Sequence, residues 1–201
     1  MKYKLTDEFI VAGDKKLFRV KRVSDGLLGG YIESERNLSQ KGDCFVYDDA
    51  RVYSDAWVFG DARVFSDAQV YNNAIVSDNA RVFDNARVYG NASVYGNAWV
   101  YSDAIVSDNA RVFGSAKVYG SAWVYDSAWV YGDASVCGNA RVCGNARVSG
   151  NAQVFGNAWV FGDAWVSGYA RVCGDAIVQT GHVTGEYIGE KKVYKKRVIM
   201  D

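Results

Sequence analysis

The sequence predicts an all-β chain wound as a parallel β-helix, with three short strands in each coil. Three observations lead there. Residues 42–179 repeat a six-residue unit 23 times without an insertion: Gly/Ser/Asp, Asn/Asp, Ala, a variable residue, Val, then most often Tyr or Phe. Val fills its slot in every copy from Val46 to Val178, and Ala fills the slot two before it in all but the first, where Cys44 stands. The two slots flanking Val hold all six tryptophans and most of the tyrosines and phenylalanines.

Ala-x-Val-x alternates, so Ala and Val point to one side and the flanking residues to the other. The small residues line a narrow interior, and the bulky ones face out. A helix is excluded because a six-residue spacing does not keep Val on one face at about 3.6 residues per turn. Identical corners argue against a meander of hairpins. The corner pair is Gly in many first positions (Gly90, Gly96, Gly138, Gly144) and Asn or Asp in most second positions, residues that tolerate positive φ and bond locally to the backbone. Three hexads per coil make a triangular prism of seven to eight coils. At the ~4.8 Å spacing of neighbouring strands the rod is roughly 35–40 Å long. Each unit buries its apolar side chains only against its neighbours, so the repeat forms one elongated body.

The flanks leave the period. Residues 1–41 are expected to cap the N-terminal end. Lys16 to Val23 alternates as a half-buried strand, with Thr6-Asp7-Glu8 before it as a cap or turn and Ser24-Asp25-Gly26 after it as a turn. A solenoid needs such ends, because an open strand edge invites copies to stack. Residues 180–201 keep Val183, Ile188, Val193 and Val198, and Lys191, Lys192, Lys195, Lys196 and Arg197 make them basic. They read as a charged edge strand closing the other end, with a binding patch as the alternative.

The chain is 49% hydrophobic and 23% charged, with a formal net charge of zero. That balance argues against nucleic-acid polymers and anionic membranes as partners, since both are held by clustered positive charge. No apolar run reaches the ~18 residues of a membrane-spanning helix. Met1-Lys2-Tyr3-Lys4 leads into Asp7 and Glu8 rather than an apolar stretch, so no secretory signal is expected and the protein is placed in the cytoplasm. Cys137 and Cys173 lie two coils apart with Phe155 between them, too far for a disulfide, and Cys143 falls on another face. Four free thiols are expected, in keeping with a reducing compartment. The cysteine spacings do not suggest zinc, and the mixed Asn/Asp corner ladders read as structural rather than metal-binding.

Two resemblances follow from these residues. The small-x-aliphatic hexad resembles the hexapeptide-repeat superfamily, which implies a left-handed, single-stranded coil. Leu5-Thr6-Asp7-Glu8-Phe9, then Leu28-Gly29-Gly30-Tyr31-Ile32-Glu33-Ser34-Glu35, then Asn37-Leu38-Ser39 ahead of the hexads, looks like the YdcK-like family of bacterial and phage proteins. Members of that family are commonly labelled acyltransferases, which implies acyl-CoA as co-substrate and a site between the subunits of a trimer. Fold alone does not establish that activity.

A transferase of this kind needs a general base to deprotonate the acceptor. No catalytic residue is assigned: the one histidine, His182, is placed outside the coils, in the tail, where it reads as a solvated side chain before it reads as a base, and any Asp or Tyr that could substitute belongs to a repeated ladder. No loop interrupts the hexads to position a substrate. The outward residues carry more information. Folding the chain by 18 residues stacks Trp123, Arg141 and Trp159 in one column and Trp129, Arg147 and Trp165 in the next, each Arg set between two rings for cation–π contact. Tyr53, Tyr71, Tyr89, Tyr125 and Phe161 line a further ladder, and Trp99 is a sixth outward tryptophan besides Trp57. The expected function is a non-catalytic scaffold that self-associates, as a trimer, through these aromatic faces and needs no cofactor. The alternatives are an acyl-CoA-dependent acyltransferase and a protein that sequesters a small nucleotide or sugar.

Overall fold

The computed structural model describes residues 1–189 and 193–195. Among the described residues, apart from one 3-10 turn at Glu35–Asn37, all regular structure is β, arranged as three sheets of 12, 9 and 8 strands. From Phe45 to Trp159 every strand pairs in parallel with the strand 18 residues on: Arg51 lies beside Gln69, Trp57 beside Ile75 and Arg63 beside Arg81. Those pairs belong to the first, second and third faces of the prism. These strands are two residues long, Val and the residue before it, until Trp165–Ser167 and Ile177–Thr180 run on to three and four residues. The hexad Ala and Val side chains are at most 1% exposed and form one continuous core.

The coil is longer than the hexads. Leu28–Ile32 pairs with Arg51–Val52, Leu38 bridges to Val58, and Phe45–Val46 pairs with Arg63–Val64, which makes a coil ahead of the first full set of hexads. At the far end His182–Thr184 and Tyr187–Ile188 pair with Trp165–Ser167 and Arg171–Val172. The result is nine coils, where the hexads alone account for seven to eight. The closing coil uses shorter corners, so its pairs are spaced 17 and 16 residues apart.

Two further strands cover the first coil. β1 (Tyr3–Ala12) and β2 (Lys15–Arg22) form an antiparallel hairpin, and β2 pairs antiparallel with β3 (Leu28–Ile32). Thr6-Asp7-Glu8 is not the cap or turn its composition suggests. It lies inside β1, where the register shifts between Leu5 and Phe9, and Thr6 Oγ1 donates to Arg19 O. A bulge absorbs polar residues that a regular strand would not need. Tyr3 and Val20 plug the end of the core, and the Tyr3 hydroxyl donates to Leu38 O at 2.6 Å. Burial pushes that phenol well above its ordinary pKa.

The motif that leads into the hexads is a weld. Asn37, fully buried, donates to Ser54 O and Ala56 O and accepts from Ser34 N, so it stands in for a corner pair in the first coil. Glu33 accepts from Ser54 N and pairs with Lys15 at 2.8 Å, which lowers the Glu33 pKa. At Gly30 an added Cβ would lie 2.5 Å from Ala50 O, so only glycine fits.

Corners also refine the reading from sequence. Only the first corner residue takes positive φ, whether Gly (Gly144, φ 67°) or not (Asp84, φ 58°). The second residue instead builds ladders between coils: Asn73 Nδ2 donates to Asn91 Oδ1 and Asn91 Nδ2 to Asn109 Oδ1, both at 3.0 Å. Strand Val193–Lys195 pairs with Ile177–Thr180 on the first face. The basic residues Lys191, Lys192, Lys196 and Arg197, with Val198, lie outside the described residues, as do the structural features proposed for them. Among the described residues no helix is long and apolar enough to cross a membrane.

Candidate functional site

The faces are built from two outward columns each. The slot after Val stacks its rings along the axis. On the first face Tyr53, Tyr71 and Tyr89 stack at 5.1 and 4.9 Å. On the second Tyr95, Phe113 and Tyr131 stack at 4.9 and 5.0 Å. On the third Phe65, Phe83, Tyr101 and Tyr119 run at 4.7, 4.8 and 5.0 Å. Parallel register favours this where aromatic residues recur every 18 positions, although Tyr47 packs edge-on to Phe45. Tyr125 does not join the first-face ladder, because Ser107 and Cys143 occupy the rungs on either side of it. Its phenol is pushed up to about 12, first by burial and then by a hydrogen bond with the Cys143 thiol.

In the slot before Val, cations and rings alternate, but not as one cation between two rings. Arg141 lies over Trp123 at 5.7 Å and Arg147 over Trp129 at 5.2 Å. Trp159 turns instead toward Phe161, at 4.5 Å, and its Nε1 donates to Cys143 Sγ. Trp165 stacks on His182 at 4.2 Å and donates to Ser149 Oγ. The stoichiometry is reversed at two places: Trp129 is held by Arg111 and Arg147, and Trp99 by Arg81 and Lys117 at 5.1 and 5.4 Å. Trp159 and Trp165 thus each reach a small residue 16 positions back, in the preceding coil, rather than the arginine 18 positions back. Reading the columns for Lys as well as Arg exposes the Arg81-Trp99-Lys117 group directly from sequence.

His182 is not in a tail. It occupies the slot before Val on the second face, paired with Trp165, and its Nε2 lies 2.5 Å from Ser167 Oγ. The closing coil has no hexad there, which is why its period hides the strand.

Charge is segregated. Within residues 42–179 every Lys and Arg stands on a face, in the slot before Val, and every acid is an Asp at a corner. Among the described residues none of these face cations forms an ion pair, the bridges being confined to Lys15, Arg19 and Arg22 of the hairpin. An open cleft of about 420 Å³ separates the hairpin from the third face; two of its cations are engaged, Arg22 with Asp25 and Phe45 and Lys2 Nζ with Cys44 O, and the third, Arg63, is one of the face cations. All four cysteines are free. Among the described residues no three His, Cys, Asp or Glu side chains converge as a metal site requires.

A three-sided parallel coil with laddered faces is a β-solenoid repeat protein. In keeping with that class, the family model described as YdcK Beta solenoid repeat matches residues 68–82, 80–96, 86–102, 104–120, 134–150, 140–154 and 152–168, all within the hexads. No curated protein matches the chain.

Proposed function

We propose that the protein is a non-catalytic scaffold that associates with further copies of itself, as a trimer, through its first and second faces. One observation carries this reading. After the ladders have stacked, Trp57, Trp123, Trp159 and Trp165 remain 45%, 45%, 37% and 39% exposed, all on those two faces. Large exposed aromatic surface on a rigid wall suits a protein interface. Unpaired cations on the faces and carboxylates at the corners supply charge complementarity between neighbouring rods. Unpaired cysteines suit a reducing compartment such as the cytoplasm. Sedimentation equilibrium tests the reading: the wild type sediments as a trimer, and Trp123→Ser with Trp159→Ser as a monomer of unchanged circular dichroism. A wild-type monomer at millimolar chain concentration overturns it.

A second reading, acyl transfer from acyl-CoA, draws on His182. Held in the wall and exposed, its imidazole is able to take the proton of an acceptor hydroxyl or amine as the acyl group leaves the thioester and coenzyme A departs as the thiol. Coenzyme A binding seen by calorimetry, and lost in His182→Ala, would favour this over the scaffold.

A further inference from the structure

The third face carries a ladder with one rung left out. Its outer column reads Tyr47, Phe65, Phe83, Tyr101, Tyr119, Cys137, Phe155 and Cys173. Rings from Phe65 to Tyr119 repeat at 4.7–5.0 Å. Cys137 then interrupts them, leaving Tyr119 and Phe155 two strand spacings apart, roughly 9–10 Å. A ring placed midway would stand about one ladder step from each, the separation at which aromatic rings stack.

Five other small residues in this slot are covered, and the sixth, Ser167, is half-buried with its hydroxyl on His182 Nε2. Ser77, Ser107, Cys143, Ser149 and Cys173 are only 4–6% exposed. Where a cover is visible it is an aromatic side chain of the next coil: Trp159 on Cys143, Trp165 on Ser149, Tyr187 on Cys173. At Cys137 the residue in that covering position is Gln153, which is exposed and leaves the thiol half-buried. An open slot of about 240 Å³ results, walled by Tyr119 and Phe155, floored by Cys137 and edged by Ser135, Gln153 and Arg171.

The edge has its own chemistry. No hydrogen bond engages the Ser135 hydroxyl or the Gln153 amide within the described residues, so a donor, an acceptor and a hydroxyl stand beside the gap. Arg171 lies over Phe155 at 5.2 Å and over Tyr187 at 5.9 Å, contacts that leave its charge without an ion pair among the described residues. The corners that follow Cys137 and Phe155, Gly138-Asn139 and Gly156-Asn157, carry no carboxylate to repel an anion.

We propose that this slot binds a planar nitrogen heterocycle bearing an anionic group, the chemistry of a purine nucleotide. The ring supplies the missing rung between Tyr119 and Phe155. Gln153 and Ser135 read its polar edge, and Arg171 takes the phosphate. Binding here is independent of association through the first and second faces.

Calorimetry of the full chain with adenosine and guanosine 5′-monophosphates tests it. One of the two is expected to bind at one site per chain. Cys137→Phe installs the rung from within and weakens binding by about tenfold or more, the scale of one lost base–aromatic stack, while the melting temperature holds or rises. Gln153→Ala, at an exposed position, weakens it without risk to folding. Arg171→Ala weakens the nucleotide but not the matching nucleoside. The proposal is overturned if neither nucleotide binds at millimolar concentration, or if Cys137→Phe binds as tightly as wild type. It is also overturned if Cys137→Phe changes the sedimentation of a chain that binds no nucleotide, since a ring from a second copy would then be the occupant. Nucleotide binding by a strictly monomeric chain would sink the scaffold and leave the slot standing.

Discussion

Corners in the two halves of the rod reach the same backbone conformation by different means. Up to residue 126, nine of the first corner residues are Asp, Ser or Asn held at φ between 54° and 60°. From Gly132 to Gly174 every one is glycine. The aspartates repay the strain of that conformation in one consistent way. Asp48, Asp78, Asp84, Asp108 and Asp126 each accept, through Oδ2, the backbone N–H of the first corner residue one coil on. In the glycine half only the Gly144 N–H, which donates to Asp126, has a carboxylate before it; elsewhere the donor is left without one, but the backbone is relaxed. The lesson is that the corner constrains a dihedral angle and a donor, not a residue type, whereas the interior constrains the residue itself.

The largest expected effect should erase the comparison. Val106→Asp and Val160→Asp, one in each half, both place an unpaired carboxylate in the core and are expected to cost about 3–5 kcal/mol each. Unequal losses in denaturant titrations would show that the interior also differs between halves. Next in size, Gly144→Ala forces a side chain to positive φ and brings Cβ to 2.9 Å from Gly162 N. A loss of about 1–2 kcal/mol is expected. Gly144→Asp is expected to lose less than Gly144→Ala, because its carboxylate can accept from Gly162 N as the aspartates of the other half do; equal losses would remove that account.

A third test uses pH and the faces. Tyr119 and Tyr125 both sit beside a thiol where the ladder fails, and both phenols are raised from 10.0 to about 12. For Tyr119 the hydrogen bond to Cys137 comes first and burial second; for Tyr125 the order is reversed. A raised folded pKa means that the stabilisation is complete below pH 10 and is lost between pH 10 and about 12. Melting temperature should therefore fall across that window, and Tyr119→Phe with Tyr125→Phe should flatten the fall. The smallest effect is expected for Asp84→Gly, which gives up the hydrogen bond to Ser102 N and gains backbone freedom, for a net change within about 1 kcal/mol either way.

Most of the coil is legible in the hexads because one interior slot admits only Val and the other only small residues. The register of 18, the inward set and the stacked rings all follow from that. The first and last coils are not legible, because they reach the same sheets with other corners: Asn37 replaces a corner pair, and the segment from Gly181 to Glu186 shortens two of them. The strand at His182 is hidden for the same reason. On the faces the columns are legible but the partners are not. Whether Arg141 meets one ring or two depends on which way Trp159 leans, and that is decided by Cys143 in the coil before. The open rung at Cys137 is visible in the column of residues, yet its meaning emerges only when five other small rungs are seen to be buried.

The pairing of each residue with the one 18 positions on makes every insertion or deletion a rotation. Removing three hexads shortens the rod by one layer and returns each downstream face to its place. Removing a single hexad turns everything after it by a third of a turn, so that Trp99 and Trp123 no longer keep their columns. An unbroken run of hexads is thus a reading frame for the surface, and the chain is free to vary its length only in whole coils.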